Sequence, residues 1–347
     1  MLMLTGTYTR NTGSEGVYGF EVDDECRKFE PTATNRQIDN PSWLVHHPAL
    51  DVVYAVNEVR DRDGGGGITA FGHNSLGVLS ELGEVSSMGG DPCHLAIDSA
   101  GRYLLVSNYG GGNLASFALG KGGEPAFAGL VQHAGRGVDP MRQKGPHVHS
   151  ITLDNAGNAY VADLGLDQVV RYPVGAGGSV SVEGRRTLRL RPGAGPRMLA
   201  FDRACRYGYV VNELDNTLVV VERDDKGDLI ELGTYSALPG NFADASYCAH
   251  IAITRDDRFV YASNRGHDSM VVFRVEPDGK LSLVQHESTK GRHPRHFAMT
   301  PDERYLLVAN RDDNNIVVFE RNADTGELAF TGTELTVPAP VCILFCP

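Results

Sequence analysis

The sequence predicts an all-β fold, a seven-bladed β-propeller with four-stranded blades. Three observations carry that prediction: one strand–turn–strand unit recurs along the chain, its copies keep their phase, and the two chain ends each hold part of a further copy. The unit is plainest at Gly195-Pro196-Arg197-Met198-Leu199-Ala200-Phe201. A polar turn over 202–206 follows, then a second apolar run, Tyr209-Val210-Val211-Asn212, ending at Glu213. Two apolar runs split by a polar turn form a β-hairpin. Pro41 to Asn57, Pro92 to Asn108, Pro196 to Asn212 and Pro294 to Asn310 are each sixteen positions apart. Cys248 to Asn264 keeps the spacing without the proline, while Pro146 to Asp163 is one longer and ends in Asp. The copies begin 46 to 54 residues apart and show no helical 3.6-residue pattern, which is the signature of propeller blades.

The elements follow in order. The N-terminal apolar runs at 1–5 and 17–22 lack a leading strand, and the chain ends in Pro340-Val341-Cys342-Ile343-Leu344-Phe345, a first strand with nothing after it. The two ends are therefore predicted to complete one blade jointly, which removes the open sheet edges that invite aggregation. Residues 5–16 read as a Gly/Thr/Asn loop between the first two strands. Arg60-Asp61-Arg62-Asp63 with Gly64 to Gly67 reads as a hydrophilic hairpin tip; a phosphate cradle would need a strand-to-helix context and a Lys-Ser/Thr, and neither is present. Third strands are expected at 114–117, 169–172, 218–221, 270–273 and 316–319. The chain affords roughly 50 residues per blade, enough for four strands. Residues 1–347 are expected to form one propeller domain, because a repeat array escapes the size limit of a single core. Two longer loops, 133–145 (with Arg136, Asp139, Arg142, Gln143 and Lys144) and 237–247, precede blades three and five. Long loops on a rigid scaffold carry binding, so both are predicted to lie over the rim of the central channel.

Composition excludes several classes. The 41 glycines and 41% hydrophobic content suit short strands and tight turns rather than disorder. A net charge of −12 and a pI near 5.4 argue against a nucleic-acid partner, although local arginines can still hold a small anion. No run approaches the roughly 18–20 apolar residues of a membrane helix. The N-terminal apolar run has no basic residue before it and ends at Leu4, unlike a secretory signal. Six cysteines without a CxxC or a paired framework read as reduced core thiols. These features predict a cytoplasmic chain with no membrane partner.

In a propeller the first strand of each blade lines the channel, so two repeat positions converge on its mouth. Those after the leading proline are Ser42, Cys93-His94, His147 with His149, Arg197, Ala249-His250 and Arg295-His296. Those after the Asn are Glu58, Tyr109, Leu164, Glu213, Arg265 and Arg311. Charged groups at buried channel positions cost free energy unless paired or used, so this ring of four arginines, two glutamates and five histidines is the functional candidate. His149, Arg197, Glu213 and Arg265, in consecutive blades, form its centre; His147, His94, Glu58, Tyr109, His250, Arg295, His296 and Arg311 are candidate substrate contacts around it.

Structural roles compete at each position. Arg295 and Arg311 have Asp312 and Asp313 nearby, and His94 and His296 can bond backbone. His147 and His149, at i and i+2, suit two metal ligands on one strand face, but arginines at the equivalent positions of neighbouring blades would repel a cation. No metal and no cofactor is therefore expected. The absence of GxSxG speaks against a nucleophile-elbow hydrolase. A propeller that only docks a protein would show an aromatic-rich rim, whereas only Tyr109, Trp43 and Tyr247 are near this one.

Gly195-Pro196-Arg197 with Asn212-Glu213-Leu214, Pro146-His147-Val148-His149-Ser150, and Ser263-Asn264-Arg265-Gly266-His267-Asp268-Ser269 resemble the seven-bladed lactonase family, which includes propeller-type bacterial 6-phosphogluconolactonases and fungal carboxy-cis,cis-muconate cyclases. Thr5-Gly6-Thr7-Tyr8-Thr9 and Pro294-Arg295-His296-Phe297 extend the likeness over essentially the whole chain. Met198 and the cysteine-rich C-terminal strand depart from the bacterial pattern. The resemblance implies a metal-free site of one His, two Arg and one Glu, which falls on His149, Arg197, Glu213 and Arg265, with His147 as the near alternative for the histidine.

Those residues permit lactone hydrolysis. Neutral His149 would activate water as general base. Arg197 and Arg265 would meet the developing oxyanion, or a carboxylate or phosphate of the substrate. Glu213 would either hold an arginine or move a proton to the leaving hydroxyl. Hydrolysis of a sugar lactone, foremost 6-phosphogluconolactone, is the first expectation, with a muconate-cyclase-type lactonising reaction as alternative and a non-catalytic binding propeller as the third. The partner expected is a small anionic lactone, carboxylate or phosphate, met by a monomer.

Overall fold

The computed structural model describes residues 1–35, 38–62, 65–74 and 77–346. Among them, seven four-stranded antiparallel sheets form the seven blades of the propeller; the helical content is one 3₁₀ turn, Ala176–Gly178. Blades one to six span 44–86, 92–132, 148–189, 196–236, 247–288 and 294–336. Blade seven joins Pro340–Cys346 to Leu2–Thr7, Val17–Val22 and Phe29–Asn35. Leu2 pairs with Cys346 and Leu4 with Leu344, so the chain ends close the ring as the sequence implies. Strands begin at Pro92, Pro196 and Pro294, but at Leu44 in blade one and at Val148 in blade three. The hairpin near Arg60 exists, with Arg62 paired to Gly65; its expected tip, Asp63 and Gly64, lies outside the described residues.

The blades hold together through apolar clusters at their interfaces. Tyr209, Val211 and Leu218 of blade four meet Ile251, Val260 and Val271 of blade five. Met3 and Phe20 of blade seven meet Leu307 and Ile316 of blade six. Outer strands face water, so Phe127 and Leu283 remain exposed.

The repeated Asn has a structural task. Asn108 Nδ2 donates to the Ser87 carbonyl at 2.8 Å, Asn264 to Ala237 at 2.9 Å and Asn310 to Thr289 at 2.9 Å. Each acceptor directly follows the outer strand of the preceding blade, so the amide ties two blades at a buried point. In blade three the polarity is reversed: Asp163 Oδ2 accepts from His133 Nδ1 at 2.6 Å. A carboxylate can only accept, so a histidine N–H stands where blades two, five and six offer a carbonyl. In blades one and four the Asn amide donates instead to Thr69 and Thr217 of its own blade. A second tie runs from the Tyr three positions before the Asn. Tyr54, Tyr160, Tyr209 and Tyr261 donate to the carbonyls of Gly123, Gly227, Gly279 and Gly326 in the next blade. Gly326, at φ +80°, could not carry a Cβ there, because that atom would sit 2.3 Å from the Phe259 ring.

Candidate active site

The mouth is built by a repeated irregularity. Pairing of first and second strands slips between Pro92 and His94, Val148 and Ser150, Pro196 and Met198, Cys248 and Ile251, and Pro294 and His296. Neighbouring side chains of a regular strand face opposite ways; a bulge adds a residue and re-aims it. Two consecutive side chains per blade therefore enter the channel, in two tiers.

The upper tier encloses a cavity of about 130 Å³ lined by Glu58, Cys93, Tyr109, Arg142, His149, Glu213, Arg265 and Arg295. Glu213 is its hub. Arg142 Nη2 lies 2.5 Å from Glu213 Oε1, and Arg265 Nη2 lies 2.8 Å from Oε2. Arg197 Nε stands 3.1 Å from Oε2 as an ion pair, without hydrogen-bond alignment. Burial alone would raise the Glu213 pKa, but Arg265, Arg197, His149 and Arg142 together hold it well below the carboxylate range. It is ionised, and removing it would leave buried cations unpaired, a loss of about 3–5 kcal/mol. Arg197, just behind the wall, also donates to the Ala249 carbonyl. Burial, then Arg265 and Arg295, lowers its pKa to about 9. Arg265 Nη2 donates to the Cys248 carbonyl at 2.8 Å.

Glu58 has a different setting. Tyr8 Oη donates to both its oxygens at 3.0 and 3.1 Å, and Arg295 Nη2 is 3.5 Å away. Burial raises its pKa despite the pull of Arg295. Tyr8 follows Thr7 as Glu58 follows Asn57, so it is blade seven's member of the post-Asn ring. The broken repeat at the chain ends hid it from the sequence reading.

His149 packs edge-on to Tyr109, with centroids 5.6 Å apart, and Cys93 Sγ is 3.9 Å from its Nδ1. Burial, then Arg197, pushes its pKa well below that of a free imidazole, although Glu213 opposes this. Its ring is neutral at pH 7 and has a lone pair. His147 does not share its face; it precedes the strand and stacks on Tyr109 at 4.4 Å, with Nδ1 2.9 Å from the Tyr109 carbonyl. The i, i+2 expectation fails because the bulge falls at His149.

Three expected contacts lie below the cavity. His94, His250 and His296 gather around Trp43 with centroids 4.3, 5.8 and 5.3 Å away. His94 and His296 accept backbone N–H groups from Ile151 and Ile343. These histidines are the second residue of each bulge pair, and Trp43 is a channel residue, not a rim aromatic. Arg311 stands away from the cavity, with Nε 2.6 Å from Asp312. Arg295 pairs with Glu58 of blade one rather than with Asp312 or Asp313. Loop 133–145 does reach the mouth, through Arg142, whose guanidinium sits over the Tyr247 ring at 5.6 Å. Arg142 was visible only as one of several charges in that loop.

The family model for the seven-bladed β-propeller lactonases matches residues 2–345. The chain belongs to this family. It is a lactonase, a carboxylic ester hydrolase. The lactonase is 34% identical over 345 residues to the 6-phosphogluconolactonase of Bacillus subtilis, covering 98% of this chain and 97% of that one. Its fold matches the structure of a periplasmic gluconolactonase of Pseudomonas aeruginosa with a TM-score of 0.92 and 29% identity, over 100% of this chain and 99% of the other. A Lactobacillus plantarum protein matches with a TM-score of 0.93 and 30% identity, over 100% and 99% of the two chains. No helix among the described residues of the lactonase is long and apolar enough to cross a membrane.

Proposed function

We propose that this lactonase hydrolyses a sugar lactone bearing an anionic group, foremost 6-phosphogluconolactone, at the upper tier of the channel. The observation that supports this reading is charge: Arg142, Arg265 and Arg295 line one small cavity with two carboxylates, Arg197 pairs with Glu213 behind them, and Glu58 is raised towards its neutral form. A surplus of desolvated guanidinium groups is relieved by a bound anion. His149 takes a proton from water as the water oxygen attacks the lactone carbonyl. The electron pair moves to the carbonyl oxygen, and Arg265 faces that charge with the Arg197 cation behind it. The ring C–O bond then breaks, and the leaving oxygen takes the proton back from the imidazolium. Glu213, ionised among three arginines, holds them in place and transfers no proton. Buried, unpaired cysteines suit a reducing cytoplasm, where the enzyme would act as a monomer.

The test compares turnover of 6-phosphogluconolactone and unphosphorylated gluconolactone, each above spontaneous hydrolysis. The phosphorylated lactone should be preferred, and Arg295→Ala should raise its KM. A preference for the unphosphorylated lactone would overturn the anionic-substrate reading. Turnover of neither, with closure of carboxymuconate instead, would establish the cyclase-type reaction.

A further inference from the structure

Opposite the mouth, blade one carries a group of side chains that hydrolysis does not use. His46 ends the first strand (Leu44–His46), Asp51 lies in the turn that follows, and His73 ends the third strand (Gly65–His73). The His73 N–H donates to the Asp51 carbonyl at 3.0 Å, which fixes the turn against the strand. One ligand atom from each of the three side chains lies within 4.8 Å of the others. The two Nε2 atoms are 2.8 Å apart, with the rings inclined at 64°. Two imidazole nitrogens aimed at each other can share one proton at most; otherwise their lone pairs oppose.

The surroundings orient the His73 ring. His73 Nδ1 lies 3.4 Å from the Asn74 carbonyl, a contact made by the Nδ1–H tautomer, whose lone pair is on Nε2. Metal-bound histidines have this arrangement, with the second ring N–H on a carbonyl. The ligands come from three separate elements, and Asp51 is exposed, so water can complete the coordination and an ion can enter. The arginines that disfavour a cation at the mouth belong to the other end of the blades.

We propose that His46, Asp51 and His73 bind a divalent transition-metal cation of the zinc class, which clips the lower end of blade one. Two imidazoles, one carboxylate and water form a zinc ligand set. Tetrahedral bonds of about 2.0–2.1 Å place two ligand nitrogens roughly 3.3 Å apart, so the rings need only open by about half an ångström. The strand from Val52 to Glu58 separates this site from the cavity by roughly 20 Å. The ion is therefore structural, and hydrolysis does not depend on it.

The test is zinc titration, by calorimetry and thermal denaturation, of tag-free chain freed of metal by chelator. The wild-type chain should bind one zinc and melt at a higher temperature with it, since an ion bound only by the native state stabilises that state. His46→Ala and His73→Ala should each weaken binding by at least about 10–100-fold, the loss that even an outer-shell partner causes. Both should abolish the rise in melting temperature and leave lactone hydrolysis intact. Asp51→Asn, at an exposed position, gives a third variant that disturbs no packing and should also weaken binding. No zinc uptake by the wild type, or uptake unchanged in these variants, would overturn the proposal.

Discussion

Two glutamates at the same repeat position, Glu58 and Glu213, are driven in opposite directions by their surroundings. Three guanidinium groups hold Glu213 ionised, whereas Glu58 has one arginine, 3.5 Å away, and a tyrosine, and burial prevails. Their sequence contexts, Asn57-Glu58 and Asn212-Glu213, are alike, so chemistry is assigned here by neighbours from other blades. The same holds for His149, whose pKa is depressed by burial and Arg197. A base with a lowered pKa keeps its lone pair as pH falls. The kcat/KM profile should therefore stay flat through about 6.5, the ordinary histidine value, and fall only at lower pH. An acid limb centred near that value would point to an exposed histidine as the base. His149→Ala should reduce kcat by about 10²–10⁴, the usual contribution of general base catalysis.

At the scale of elements, the Asn and the bulge are two halves of one device. In blades two, five and six the Asn amide anchors the end of the second strand to the preceding blade, and the bulge in the first strand turns two side chains into the channel beside it. Asn310→Ala would leave the buried Thr289 carbonyl without its donor, a cost of about 1–3 kcal/mol. The melting temperature should fall by a few degrees while hydrolysis persists, because the Asn310 amide bonds to Thr289 and does not line the cavity. An unchanged melting temperature would show that the Asn310 amide adds nothing to the tie between blades five and six.

For the whole molecule, closure is the main risk. Blade seven is the one blade made from both chain ends, and Val341, Cys342 and Ile343 are buried within it. Deleting 340–347 would expose the Leu2–Thr7 edge and uncover the apolar faces of blades six and one. The truncated chain should lose its cooperative melting transition and aggregate, as circular dichroism and size-exclusion chromatography would report. A soluble, cooperatively folding truncation would mean that six blades suffice.

The sequence by itself determined the ring. Apolar runs, polar turns and the sixteen-residue spacing are local, and they repeat, so blade number, strand order and closure by the termini could be read from them. It also named most of the cavity wall, because equivalent positions of a repeat must converge on one axis. Only the tertiary structure decided which candidates reach the cavity. The bulge sends Cys93, His149 and Arg295 up to it and His94, His250 and His296 down around Trp43, a choice that depends on strand register and not on residue type. Arg142 and Tyr8 enter from a non-repeating loop and from the split blade, where no period points to them. Which glutamate is ionised was likewise settled between blades, because charge–charge energy depends on distance in space rather than on position along the chain.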